Sequence, residues 1–173
     1  KILFLDLDGT LLNDRKEITD GNRRAISEAL AKGRRIVVTS GRPLKSSLAQ
    51  ARRLGLAGEG GYVIAYNGAS IYDCSSRREI FRRTLEWEVL YAIFDEARRR
   101  EVYVQTYDRE DVVTEQEERV ENARRYCSAL GLDYRVIGDV RRDVSAPPVK
   151  ALFIDYRRRE PLESICLLYT SPS

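Results

Sequence analysis

Three short apolar runs, KILFL at residues 1–5, RRIVVT at 34–39 and YVIA at 62–65, are separated by two segments whose apolar residues recur at helical spacing. This alternation leaves few folds open. Strands that follow one another through helices of about 10–15 residues form a parallel sheet covered on both faces. The first intervening segment, ITDGNRRAISEALAKG, offers Thr19 or Asp20 as a cap, repeats Ala25, Ile26, Ala29 and Leu30, and ends at Gly33. The second opens at Pro43, which suits a first helical turn, carries Leu44, Leu48, Ala51 and Leu54, and ends at Gly55. Asn67-Gly68 is a tight-turn signal, and Ser70 to Tyr72 is the expected returning strand. Residues 1–75 thus read β-α-β-α-β-β.

Crossovers of this kind are right-handed, and ligands collect at the carboxyl ends of the strands. Asp6 and Asp8 follow the first strand, Thr39, Ser40, Gly41 and Arg42 the second, and Asn67 the third. All three clusters are expected at one rim. Beyond residue 80 the pattern changes. Trp87, Leu90, Tyr91, Phe94 and Ala97 form a helical core stripe, and Glu101–Tyr107 and Asp111–Thr114 read as strands. A helix over Glu115–Leu130 is closed by Gly131, and Tyr134–Ile137 and Val149–Asp155 read as further strands. This is an α+β unit, expected as a second, smaller domain. The linker is placed in Asp73–Arg83, where Ser75, Ser76 and charges cluster.

Composition excludes several classes. Of 173 residues, 43% are apolar, enough for a sizeable core. Charged residues make up 33% but leave a net of only +3, and no like-charge run is long enough for a nucleic-acid arm. The arginines read as solvated helix faces, so no nucleic-acid partner is expected. No stretch approaches the ~18 apolar residues of a membrane span, and the apolar run at residues 1–5 is too short for a signal peptide. Cys74, Cys127 and Cys166 fit neither a zinc site nor a disulfide framework, so reduced thiols and a cytoplasmic location are expected. With no histidine, the chemistry must run on carboxylates, hydroxyls, lysine or arginine.

FLDLDGTLL, residues 4–12, ends an apolar strand on two like charges. A carboxylate such as Asp6 can attack phosphorus and form an acyl phosphate. Asp8 could protonate the leaving oxygen and then activate water. Two close carboxylates repel, and a divalent cation held by Asp6 and Asp8 relieves this; oxygen ligands with a phosphate favour Mg²⁺. Backbone N–H groups of the following loop, from Leu7 onward, can cradle phosphoryl oxygens, and Gly9 permits the turn. Thr10 offers a hydroxyl to fix the loop. Ser40 and Gly41 supply a hydroxyl and an N–H near a helix N-terminus. A simple cap is the lesser alternative for Ser40, while Arg42 reads as a substrate-anion ligand or a structural partner, and Asn67 as a turn residue or a site residue.

LFLDLDGTLLN, VVTSGRP and YNGA, in this order and spacing, resemble the haloacid dehalogenase superfamily of phosphatases, and most of all the Cof-type branch with an inserted α/β cap. The resemblance implies an α/β fold: a Rossmann-like parallel sheet, here as the N-terminal part of the core over residues 1–80, with part of a smaller α+β cap over 81–165. It implies Asp6 as nucleophile and Asp8 as acid/base, with the Asp8 carbonyl also on Mg²⁺, and gives Ser40 the second motif's hydroxyl role. The implied substrate is a small phosphorylated metabolite, a sugar phosphate or a phosphorylated cofactor. Within the same fold a sugar phosphomutase is the alternative; from another class, a non-catalytic phosphate-binding module.

The family also carries a later lysine and an acidic pair in a GDxxND-like string, and neither occurs here. Lys150 and Gly138-Asp139 are the nearest matches, but both fall within the cap-like segment. The terminal CLLYTSPS, residues 166–173, can be back-translated into the end sequence of a transposase-based library adapter. The expectation is that the native sequence stops near Ile165 and that this chain is poorly active or inactive.

Overall fold

A computed structural model of the chain describes residues 1–56, 58 and 60–154. It divides into two compact units, Lys1–Arg83 and a second beginning at Thr84. In the first, β1 (Ile2–Asp6), α1 (Asp20–Ala31), β2 (Arg35–Thr39), α2 (Leu44–Arg53) and β3 (Gly61–Ala65) follow the expected alternation. β4 (Ser70–Asp73) and β5 (Arg78–Arg82) then complete a sheet of order β1-β2-β3-β4-β5. β1, β2 and β3 are parallel, and β4 and β5 are antiparallel.

Local signals set the boundaries. Thr19 caps α1, its hydroxyl oxygen accepting the Asn22 N–H at 3.2 Å. Gly33 and Gly55, at φ 65° and 76°, take the left-handed conformation that ends each helix. Ile36, Val38 and Val63 are fully buried in the central strands, and Ile26, Ala51, Leu54 and Leu56 are buried with them. The outer strand β1 differs. Among the described residues only β2 pairs with it, and Ile2, Leu3 and Phe4 stay 54, 47 and 59% exposed. Consecutive strand residues face opposite ways, so both faces of β1 present apolar surface beside an unpaired edge.

Two sequence expectations change in this unit. The segment expected as a linker, Asp73–Arg83, contains β5, paired with β4. The turn signalled by Asn67-Gly68 is a 3-10 turn over Tyr66–Gly68 in which Tyr66 and Asn67 both have positive φ, 53° and 59°.

The second unit is built from α3 (Trp87–Arg99), β6 (Val104–Asp108), β7 (Asp111–Thr114), α4 (Val120–Leu130), β8 (Tyr134–Val136), α5 (Val140–Asp143) and β9 (Leu152–Phe153). Its sheet has the order β8-β7-β6-β9. Leu90, Phe94 and Ala97 of the expected stripe pack with Val104, Val113, Ile137, Val140 and Val144. α4 starts at Val120, after a 3-10 turn over Glu117–Arg119, and ends at Gly131 with φ 66°. α5 was not expected; Asp139 caps it, accepting the Arg141 N–H at 2.8 Å. No helix among the described residues is long and apolar enough to cross a membrane. Cys74 and Cys127 are free and buried, while Cys166 and the 166–173 segment lie outside the described residues.

Candidate active site

The parallel register aligns the strand ends. Asp6 pairs with Thr39, and Thr39 with Ile64, so the carboxyl ends of β1, β2 and β3 lie side by side. A pocket of about 330 Å³ opens there, lined by Asp6, Thr39, Ser40, Gly41, Ile64, Asn67 and Gly68. Four residues singled out in the sequence, Asp6, Ser40, Gly41 and Asn67, therefore share one cavity.

The loop after β1 is held by its own backbone. The Leu11 N–H donates to the Asp6 carbonyl at 3.2 Å and the Leu12 N–H to the Leu7 carbonyl at 2.9 Å. Gly9 turns at φ 79°, a left-handed value that favours glycine. Leu7 itself is fully buried, so only its main chain can serve a ligand. Thr10 differs from expectation: it is exposed, and its hydroxyl makes no hydrogen bond among the described residues.

The loop after β2 is pinned to β3. The Ser40 N–H donates to the Ile64 carbonyl at 2.9 Å, the Asn67 N–H to the Ser40 carbonyl at 3.2 Å, and the Tyr66 N–H to the Arg42 carbonyl at 3.0 Å. Ser40 is 8% exposed, and its hydroxyl oxygen accepts the Arg42 N–H at 3.1 Å. That bond fixes the turn and leaves the hydroxyl proton to donate elsewhere. Gly41 lets Asn67 approach closely: a Cβ there would lie 2.6 Å from Asn67 Oδ1, and the Asn67 side chain would have to shift.

Arg42 pairs with Asp8. Its Nε lies 2.8 Å from Asp8 Oδ2 and its terminal nitrogen 2.6 Å from Oδ1, a bidentate fork. Lys16 Nζ adds a third contact to Asp8 Oδ1 at 2.9 Å. Arg42 and Lys16 thus offset the charge of the Asp8 carboxylate. The Arg42 hydrogen bonds are the main reason why the Asp8 carboxyl falls from 3.8 to about 2, with Lys16 assisting against partial burial. A carboxyl depressed on folding stabilises the fold above its unfolded value, and that contribution fades as pH falls through about 2. Arg42→Gln is expected to return the Asp8 titration towards 3.8, read by carboxyl ¹³C NMR. An unmoved midpoint would show that Arg42 does not hold Asp8 in solution.

Lys150 and Asp139 belong to the second unit. Burial lowers the Lys150 pKa, and the Lys150 carbonyl accepts the Thr106 hydroxyl at 2.8 Å. Asp139 serves as the α5 cap. Among the described residues no group of three or more acidic, histidine or cysteine side chains could hold a metal ion.

An α/β unit with a strand-end carboxylate pocket and a second α+β unit is the class that these observations define. Residues 3–155 match the haloacid dehalogenase-like hydrolase family, and the chain belongs to it. It is 32% identical over 157 residues to the Bacillus subtilis protein YxeH, whose name describes it as a phosphatase, covering 90% of this chain and 57% of that protein. It is 37% identical over 95 residues to the B. subtilis 5-amino-6-(5-phospho-D-ribitylamino)uracil phosphatase YcsE, covering 55% of this chain and 36% of that one. A Bacteroides thetaiotaomicron haloacid dehalogenase-like hydrolase superposes with a TM-score of 0.84 at 28% identity, over 98% of this chain and 64% of that one. The chain thus spans 36 to 64% of the length of these relatives.

Proposed function

We propose that the protein to which this chain belongs hydrolyses small phosphate monoesters through a phosphorylated Asp6. The observation that supports this reading is the pocket at the ends of three parallel strands, whose lining includes Asp6, Ser40, Gly41 and Asn67. The relatives named as phosphatases support the same reading.

A carboxylate oxygen of Asp6 attacks phosphorus, and the ester P–O bond breaks. The leaving oxygen takes a proton from Asp8. Water then attacks the aspartyl phosphate, giving its proton to Asp8, and the acyl P–O bond breaks to release inorganic phosphate and restore the Asp6 carboxylate. Ser40 donates its hydroxyl, and Gly41 its N–H, to the phosphoryl oxygens. The ion pair adds a condition. While Arg42 and Lys16 hold Asp8, its carboxyl at about 2 is ionised at neutral pH and acts only as a base. Its acid role requires the fork to open, by transfer of Arg42 to the incoming phosphate anion, and Asp8 then to take up a proton from solvent before the ester bond breaks.

The Asp6 carboxylate and the Asp8 main-chain carbonyl are hard oxygen donors, and they fit part of a Mg²⁺ shell. When bound, the ion would offset the phosphoryl charge beside Asp6. We read residues 1–83 as part of a larger catalytic core, the unpaired edge of β1 being open to further strands, and the second unit as part of the cap that selects the substrate.

Phosphate release from a panel of sugar phosphates and phosphorylated cofactors, by the full-length gene product, tests the reading. Release that stops with a chelator and returns with Mg²⁺ is expected. Conversion of a sugar phosphate into its isomer without free phosphate would instead identify a mutase.

A further inference from the structure

A second pocket, of about 290 Å³, lies in the first unit and shares no residue with the Asp6 cavity. Leu48, Ala51 and Leu56 form its apolar side, Tyr72 and the buried Cys74 its strand side, and Arg52 and Arg77 supply its charge. Both arginines are exposed, and among the described residues neither is paired with a carboxylate. The nearby acid, Asp73, is turned into its own loop, where its carboxylate accepts the Ser75 N–H at 2.9 Å and the Ser76 hydroxyl at 3.0 Å. That loop ends on Arg77, held at φ 55° in the left-handed region.

We propose that this pocket binds a small organic anion with an apolar body, such as an aryl carboxylate. Apolar surface and two guanidinium groups that pair with no carboxylate among the described residues, on one cavity, are chemically complementary to such a ligand. Burying the ring against Leu48, Ala51 and Leu56 supplies the hydrophobic contribution. Arginine recognises a carboxylate through paired N–H donors, and two of them flank the opening. A neutral molecule of the same shape would leave both charges unused. The site does not depend on the phosphatase reading.

Titration of the ¹⁵N-labelled full-length gene product with 1-naphthoate, followed by amide shifts, tests it directly. Saturable shifts confined to residues 48–56 and 72–77 are expected, with at least about tenfold weaker binding for 1-naphthalenemethanol and for the Arg52→Gln/Arg77→Gln variant, a difference of about 1.4 kcal/mol. Naphthoate should also slow alkylation of Cys74, read by peptide mass spectrometry, without slowing that of Cys127. Shifts mapping to the exposed residues of β1, equal binding of the alcohol, or no saturation would overturn the proposal.

Discussion

Asp6→Asn in the full-length gene product is expected to remove phosphate release by on the order of 10⁴-fold or more, the scale set by loss of a covalent nucleophile. The amide matches the carboxylate in shape but does not attack phosphorus. The fold should tolerate it, because Asp6 ends β1 with an exposed side chain and its place in the sheet depends on backbone pairing with Thr39. Thermal unfolding should therefore stay near that of the parent while turnover disappears. Asp8→Asn should be milder and should depend on the leaving group, with activated aryl phosphates losing least because their leaving oxygen needs no proton. Residual turnover in Asp6→Asn equal to that in Asp8→Asn would place the nucleophile elsewhere.

Gly61→Ala is expected to cost about 3 kcal/mol, seen as a lower urea midpoint at unchanged slope. Gly61 opens β3, paired in register with Ile36 of β2. A Cβ there would collide with the Leu56 carbonyl oxygen and lie 3.1 Å from its carbonyl carbon. The obstacle is backbone, and Leu56 is itself buried, so neither side can yield by rotating a side chain. Moving β3 would also pull Ile64 and Asn67 away from Asp6, so activity should fall with stability. A stability equal to the parent's would show that the chain before β3 is looser than this packing implies.

The elements that were legible in the sequence are those with a buried face. β2 carries an unbroken buried run, Ile36–Val38, β3 buries every second residue, and the stripe of α3 marks its core side. β5 left no such imprint, because all five of its residues, REIFR, are exposed, and charge and serine content around it imitate a linker. α5 spans only four residues, too few for a helical period to show. Turn chemistry at Asn67-Gly68 was visible, but the inclusion of Tyr66 was not, since an aromatic residue rarely adopts positive φ.

The site was legible in its residues and less so in its contacts. Parallel connectivity was enough to bring Asp6, Ser40, Gly41 and Asn67 to one rim. The Asp8–Arg42 pair joins positions 34 apart and depends on strand register, which the sequence carries only indirectly. Of the two roles the sequence left open for Arg42, the structure shows the structural one, a pair with Asp8, while the Lys16 contact to the same carboxylate was not anticipated. The basic residue directly after Ser40-Gly41 was the available signal, because it leaves the strand end nearest the acidic loop.

Covalent phosphorylation of Asp6 is the measurement closest to the central claim. The full-length gene product is mixed with a turned-over phosphate monoester, quenched in acid within milliseconds and digested for mass spectrometry. A phosphoryl adduct on Asp6, formed at a rate that matches turnover and absent from Asp6→Asn, is the predicted result. Steady phosphate release with no adduct on Asp6, or with the adduct on another residue, would contradict it.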